Sequence, residues 1–400
     1  MTRSHPVHAD LVGFVGQTLP TASALLAGYV FVGYPLLVGL AAKTRRAPAP
    51  PPDHVPSVSV VIAALNERDV IVGKLRNVAA LDYPPSQLEV LLVTDGSTDG
   101  TSEIAKTAGF PGLRVLHRPE RAGKAAAMAR AVALARNDVV VFTDANNLLA
   151  PDALRHLVGP FAEPAVGAVT GAKVSSGGPE EVSGGERLYW RYESFVKRQE
   201  SRLGCCTAVI GELLAVRREL VPPMPAGLVN DDFFVAMQVA RAGFRVAYAP
   251  EALSFEPTAA SLSDDLVRRT RIAAGRWQSV FGWRTHLPVR RPLVLWQVVS
   301  HKHLRLLLPA AMVGAAGGTV LDALLSRPTR IRTGVLLGGQ GLLYGLAAAG
   351  GRLPRQAGPL RPTALGARYL VRTSWTSSSG LLNYLRGRNQ LHLWERATRG

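Results

Sequence analysis

Between residues 57 and 145 the chain carries four short runs of almost continuous apolar character: SVSVVIAAL (57–65), LEVLLVTD (88–95), LRVLHR (113–118) and DVVVFTDA (138–145). Runs of this kind, rich in Val and Leu, are strands buried on both faces. Helix formers fill the gaps, in ERDVIVGKLRNVAAL, GTSEIAKTAG and GKAAAMARAVALAR. Alternating strands and helices call for right-handed crossovers and a mainly parallel sheet. Ligands of such sheets bind outside the carboxyl ends of the strands. The polar residues at those ends are therefore the first candidates for a site: Asn66 and Glu67, Asp95, and Asp144 with Asn146.

Residues 176–285 are less regular. They hold an amphipathic helix pattern, GGERLYWRYESFVKRQESRLG, a strand-like CTAVIGELLAVRREL, and then GLVNDDFFVAMQVARAGF, where Asp231 and Asp232 stand ahead of a largely apolar run. Unpaired charge against apolar surface is expensive. A carboxylate at a helix start is nevertheless favoured by the dipole and the free N–H groups, so capping and catalysis are both open for this pair. A hard cation such as Mg²⁺ takes oxygen ligands, commonly one or two carboxylates completed by phosphate and water. Asp144 with the amide oxygen of Asn146, two residues on and facing the same side, offers such a foothold; a polar strand-end cap is the plainer reading. Lys124 in AGKAAAM lacks the Gly-x-x-x-x-Gly-Lys-Ser/Thr spacing of a phosphate loop. Tyr189, Trp190 and Tyr192 read as core, and Arg268, Arg269 and Arg271 as a stripe facing lipid headgroups.

Residues 11–42 carry no charge, over more than the ~20 residues a spanning helix needs. A transmembrane helix is expected in the later two-thirds of this stretch, with Pro20 interrupting its start. Lys43, Arg45 and Arg46 follow and place the next segment in the cytoplasm. The Pro-rich residues 47–56 read as a stiff spacer. Two further spans are expected at 304–325 and 333–351, whose small residues suit close packing, and a half-buried interfacial helix at 367–387. Arg327, Arg330 and Arg332 would then face outward, against the positive-inside bias.

The net charge is +17, yet residues 57–255 hold 21 Lys and Arg against 22 Asp and Glu. The positive excess lies in the flanks, beside the apolar segments. That suits membrane lipids with anionic headgroups, and no nucleic acid partner is expected. Cys205 and Cys206, the only cysteines, are neighbours and make neither a disulfide framework nor a zinc spacing.

Eight segments in order, ALNERDVI, VTDGSTDGT, GKAAAMA, FTDANN, LYWRYESFVKRQESRLG, GELLAVRREL, VNDDFFVAMQVARAGFRVAYAPEA and GRWQ, resemble the family 2 glycosyltransferases, in particular the membrane-bound, cellulose-synthase-like bacterial branch. The resemblance covers residues 57–285. It implies an α/β, Rossmann-like type A glycosyltransferase domain with a mainly parallel mixed sheet, preceded by a transmembrane helix (1–46) and followed by interfacial segments, two or three membrane helices and a basic tail (286–400). It implies multi-pass insertion in the cell's inner membrane with the catalytic domain cytoplasmic.

On the matching residues it implies that Asn66, Glu67, Asp95, Lys124, Asp144 and Arg276 bind a nucleotide sugar and that Asp144 and Asn146 hold Mg²⁺ or Mn²⁺. Asp232 would be the general base, and Gly211, Glu212, Asp231 and Trp277 would line the acceptor side. The acceptor would be a glycan or a lipid-linked sugar. Three positions depart from the family pattern: Ala273 stands for the Gln of Gln-x-x-Arg-Trp, Asn146 for an Asp, and Ala129 for an Asn. The first weakens the case for long-polymer synthesis. The short membrane part would form only a narrow channel unless the protein forms a homo-oligomer or recruits an export partner. A membrane scaffold that binds nucleotide without turnover is the alternative class.

Overall fold

The computed structural model describes residues 6–45, 54–176, 180–257, 261–325, 330–354 and 356–387. Most of the 47–56 spacer, Arg327 and the basic tail beyond residue 387 lie outside the described residues.

The N-terminal part is helical. Helix α1 (Pro6–Gly28) passes through a five-residue π turn, Tyr29–Gly33, into α2 (Tyr34–Lys43). Contrary to the sequence expectation, Pro20 lies inside α1 and does not end it. The ring of Pro20 packs against Gly318 of the C-terminal part, where an added Cβ would stand 2.6 Å from Pro20 Cδ.

The domain then alternates as expected: β1 (Val58–Ala64), α3 (Ile71–Ala79), β2 (Leu88–Asp95), α4 (Thr101–Thr107), β3 (Leu113–Arg118), α5 (Lys124–Leu134), β4 (Val139–Asp144), the short β5 (Leu148–Leu149), α6 (Ala153–Val158), β6 (Val166–Ser176), α7 (Glu180–Arg202), β7 (Leu214–Arg217), α8 (Asp231–Arg241), β8 (Arg245–Pro257), α9 (Leu262–Phe281) and α10 (Trp283–His286). The strands form one sheet in the order β3-β2-β1-β4-β7-β6-β8-β5. Strands β3, β2, β1 and β4 are parallel, while β7 runs antiparallel to both β4 and β6. Every residue of β1 is buried, because both faces are covered. Val60 and Ile62 pack with α3 and α6 residues such as Leu75 and Leu154, whereas Val61 packs with Met128 of α5 and Val235 of α8. Strand order reverses between β1 and β4, so a crevice opens at their carboxyl ends, the usual ligand position of such sheets.

The strand expected from CTAVIGELLAVRREL is shorter than the pattern suggested. Only Leu214–Arg217 forms ladder pairs; residues 206–213 are irregular. Side chains take over their amides, as when Glu200 accepts from Thr207 N (2.9 Å) and Thr170 Oγ1 from Ile210 N (3.1 Å).

The C-terminal part continues with α11 (Pro292–Val298), a second π turn, Val299–His303, then α12 (Leu308–Leu325), α13 (Arg330–Ala349) and α14 (Leu360–Leu385). Two continuous helices, Phe14–Lys43 and Pro292–Leu324, are long and apolar enough to cross a membrane; Thr333–Ala349 is apolar but shorter. Phe14, Leu25, Leu36, Val313 and Leu324 are exposed along them, an apolar surface that water does not favour. Helix α14 packs on α7, α9 and α13 and buries one face, including Leu365, Tyr369 and Gly380.

Candidate active site

Two parallel strands bring the first acids to the rim. Asp144 ends β4 and is in register with Ala63 of β1. Beyond β1, Asn66 takes φ 54, a left-handed conformation in which Asn is enriched. Its N–H donates to Ser97 Oγ (3.1 Å) and its Oδ1 accepts from Thr98 N (2.9 Å), while Glu67 N donates to Thr101 Oγ1 (2.9 Å). The loops after β1 and β2 are thereby tied into one unit.

Asp95 is fully buried at the end of β2. Its Oδ2 accepts from Ala122 N (2.9 Å) and Gly123 N (2.7 Å), and Arg130 approaches Oδ1 at 3.8 Å. This holds the turn that starts α5 on Lys124. From there Lys124 Nζ donates to Asp144 Oδ1 at 2.7 Å, with 22% and 33% of the two side chains exposed. Behind the pair, buried Lys74 donates to Thr143 Oγ1 (2.8 Å) and Asn147 O (2.9 Å).

The other acids come from α8. Asn230 precedes the helix and donates to Ile272 O (3.0 Å), fixing the helix start against α9. Asp231 is buried in the first turn, and its Oδ2 has no hydrogen-bond partner among the described residues. Asp232 Oδ1 accepts from Phe233 N (2.7 Å). A Cβ placed on Gly211 would lie 3.3 Å from Asp232 Cβ, so the irregular segment before β7 runs directly against this acid.

The charges act on one another. Burial, then the charge of Asp231, pushes the Asp232 carboxyl up to about 6; the Phe233 amide and Lys124 offset part of this, and Asp144 adds to it. Burial would raise Asp144, yet Lys124, Lys74 and Arg271 outweigh it and hold that carboxyl below its ordinary value. Burial disfavours the Lys124 ammonium, but Asp144, Asp231 and Asp232 overcome it and raise its pKa. Lys74 is lowered to about 7, by burial against the pull of Asp144 and Glu212.

One cavity of about 890 Å³ collects Lys124, Asp144, Gly211, Glu212, Asp231, Asp232, Arg271 and Arg276, and extends to Phe31, Leu308 and α14. Trp190 Nε1, Glu212 Oε1 and Asp231 Oδ2 are buried on its walls without a hydrogen-bond partner among the described residues. Such atoms are rare in native structures, and these three belong to residues that line one cavity.

Asn66, Glu67, Asp95, Asn146 and Trp277 lie outside the lining of the cavity that Lys124, Asp144 and Asp232 share. Trp277 Nε1 donates to Ser377 O (2.9 Å), joining α9 to α14. Tyr189, Trp190 and Tyr192 line the cavity; they are not plain core. The three arginines are no headgroup stripe. Arg268 pairs with Glu256 (3.1 Å) and Asp265 (3.2 Å), Arg269 pairs with Asp265 (2.7 Å), and Arg271 is the guanidinium whose charge reaches Asp231, Asp144 and Asp232. Arg276 acts instead on Tyr189, Lys302 and His303. No local signal in the sequence separates Arg271 from Arg276, because the groups each of them faces lie far off along the chain.

Residues 56–278 match the family profile described as "Glycosyltransferase like family 2". The chain belongs to this family. Among curated family 2 relatives, it is 32% identical over 172 residues to a beta-monoglucosyldiacylglycerol synthase of Nostoc sp., covering 41% of this chain and 36% of that protein. It is 25% identical to a poly-beta-1,6-N-acetyl-D-glucosamine synthase of Staphylococcus aureus, covering 56% and 55%. An N-acetylglucosaminyltransferase of Rhizobium meliloti matches at 24% identity over 77% of each chain. The match thus spans about a third to a half of the first two relatives. Among solved structures, a mannosyltransferase of Pyrobaculum calidifontis in complex with GDP-Man and Mn²⁺ superposes with a TM-score of 0.69, 26% identity, and coverage of 92% of this chain and 99% of that one. The family 2 domain here therefore has the type A glycosyltransferase fold, flanked by two apolar helices.

Proposed function

We propose that this protein is an inverting, membrane-bound glycosyltransferase. It moves a hexose or N-acetylhexosamine from a nucleotide diphosphate donor to an envelope polysaccharide or glycolipid acceptor. It works as a multi-pass protein of the inner membrane, with residues 57–285 on the cytoplasmic side. The observation that carries this reading is the placement of Asp232, a carboxylate pushed up to about 6, in one cavity with the Lys124–Asp144 pair. A base is most effective when its pKa lies near working pH. The names of the Nostoc and Staphylococcus relatives, a glycolipid synthase and a polysaccharide synthase, support the acceptor classes. GDP-Man and Mn²⁺ in the Pyrobaculum enzyme support the donor class and a divalent ion.

In this reading Asp232 takes the proton of the acceptor hydroxyl. That oxygen bonds to the anomeric carbon as the bond to the diphosphate breaks, and the electron pair leaves with the diphosphate. Lys124 and Arg271 meet the charge that develops there. Among the described residues no cage of three His, Cys, Asp or Glu exists. A hard ion completed by diphosphate oxygens needs only one or two protein carboxylates, so Asp144 on the cavity wall would hold Mg²⁺ or Mn²⁺, with Asn146 beyond the lining as the second ligand that the family pattern implies. When bound, the ion supplies charge neutralisation to the leaving group. Asn66, Glu67 and Asp95 take the nucleoside side, and Gly211, Glu212 and Asp231 the acceptor side, with Trp277 holding α9 in place behind them.

The test is incubation of the detergent-solubilised full chain with a panel of nucleoside diphosphate hexoses and Mg²⁺ or Mn²⁺. One donor is consumed with release of its nucleoside diphosphate, and Asp232→Asn releases none while still binding the donor. Equal release by the two proteins overturns the reading.

A further inference from the structure

The same cavity holds a second set of charges that the transfer step leaves unused. Arg276 of α9, with Lys302 and Arg305 from the turns ahead of α12, line it together. Arg276 and Arg305 both act on Lys302 as like charges. Glu193 of α7 pairs with Lys302 (3.6 Å) and hydrogen-bonds Arg305, and it also faces His301 Nε2 (3.2 Å). Glu200 pairs with the other face of His301, at Nδ1 (2.8 Å), and its charge also reaches Lys302, so two carboxylates stand against three cations and a histidine. Like charges gathered in a partly buried space are unfavourable without a compensating anion.

Arg305 is the telling group. It is 8% exposed and its guanidinium lies 5.5 Å from the Tyr192 ring centre, yet its Nε and one terminal nitrogen have no hydrogen-bond partner of good geometry among the described residues. A guanidinium with spare N–H groups suits the oxygens of a phosphate. Its position narrows the ligand further. Lys302 and Arg305 belong to the candidate span Pro292–Leu324, and the cavity continues past them over Leu308, Leu370 and Phe31. Polar lining therefore gives way to apolar lining at the cations.

We propose that Arg276, Lys302 and Arg305 bind the phosphate of a lipid-linked acceptor, so that the acceptor is a phosphate-bearing lipid and not a neutral lipid or a free glycan. The word acceptor rests on the glycosyl-transfer reading; the lipid-phosphate site does not. A donor diphosphate shares the chemistry, but Lys124 and Arg271, beside Asp144, already serve it.

The full chain in phosphatidylcholine nanodiscs would be titrated, without any donor, with a polyisoprenyl phosphate and with the corresponding polyisoprenol. The phosphate binds about tenfold or more tightly than the alcohol, as charge-assisted hydrogen bonds require. Lys302→Gln and Arg305→Lys erase that preference, Lys302→Arg keeps it, and nucleoside diphosphate binding is unchanged in Lys302→Gln. Equal binding of the two lipids by the wild type overturns the proposal. So does a Lys302→Gln variant that loses nucleoside diphosphate and keeps lipid phosphate. Selective phosphate-lipid binding by a protein that transfers no sugar would remove the enzyme reading and leave this site standing.

Discussion

Lys124 Nζ lies 2.7 Å from Asp144 Oδ1, although twenty residues and a strand crossover separate the two. The contact joins the first turn of α5 to the tip of β4, across the place where strand order reverses. Asp95 keeps it in register from below by holding the Ala122 and Gly123 amides.

Removing the ammonium is expected to damage transfer more than folding. Lys124→Gln should lower kcat by about 10²–10³, the usual loss for one electrostatic stabiliser of the transition state, and Lys124→Arg should recover part of it. Steady-state kinetics on the consumed donor reads both. A Lys124→Gln variant with wild-type kcat would place the leaving-group charge elsewhere.

The pH dependence follows from Asp232, whose pKa is raised from 3.8 to about 6. The base must be ionised to accept a proton, so kcat/KM should climb through pH 6 and level off above it. Stability runs the other way. The folded state holds this proton more tightly than the unfolded chain, so its contribution is full below about pH 4 and is lost as pH rises to 6, up to ~3 kcal/mol. Asp232→Asn should accordingly melt higher than the wild type at pH 8 and equally at pH 4. Thermal unfolding at the two pH values checks this.

The sheet was legible because its strands are read locally: each is an apolar run ending on a polar residue, and Leu88–Asp95 and Leu113–Arg118 have the boundaries their sequences suggest. That Asp144 and Asp232 line one cavity agrees with the expectation their motif neighbours raised. What stayed hidden is set by partners distant in sequence. Nothing local shows that residues 206–213 lose their ladder to Glu200 and Thr170, or that Arg271 and Arg276 face different charges. Nor does anything local mark Lys74 as buried, because its partners Thr143 and Asn147 lie 69 and 73 residues further along the chain.

Gly211 is expected to be a positioning residue. A methyl there meets Asp232 Cβ at 3.3 Å, a few tenths of an ångström too close, so Gly211→Ala should turn the carboxylate. Small misplacements of a reacting group are costly. The variant should lose roughly tenfold or more in kcat, with donor KM and melting temperature near wild type. A fall in KM-limited binding with kcat preserved would mean that Gly211 contacts donor instead.

The two long apolar helices offer a test that leaves the chemistry alone. Gly16, Gly314 and Gly318 let α1 and α12 approach closely: added Cβ atoms would stand 2.9 Å from Asp322 N, 3.3 Å from Ser23 Oγ and 2.6 Å from Pro20 Cδ. Gly317, one residue from Gly318, has nothing within 4 Å of such an atom. Gly318→Val should overpack the seam and destabilise the helix pair by about 1–3 kcal/mol, lowering the melting temperature in detergent. Gly317→Ala should be neutral or stabilising by ~0.5–1 kcal/mol, since alanine forms helix better than glycine. None of these glycines lines the cavity, so the fraction that remains folded should turn over at the wild-type rate. Equal melting of the two variants would mean that α1 and α12 are not packed through this seam.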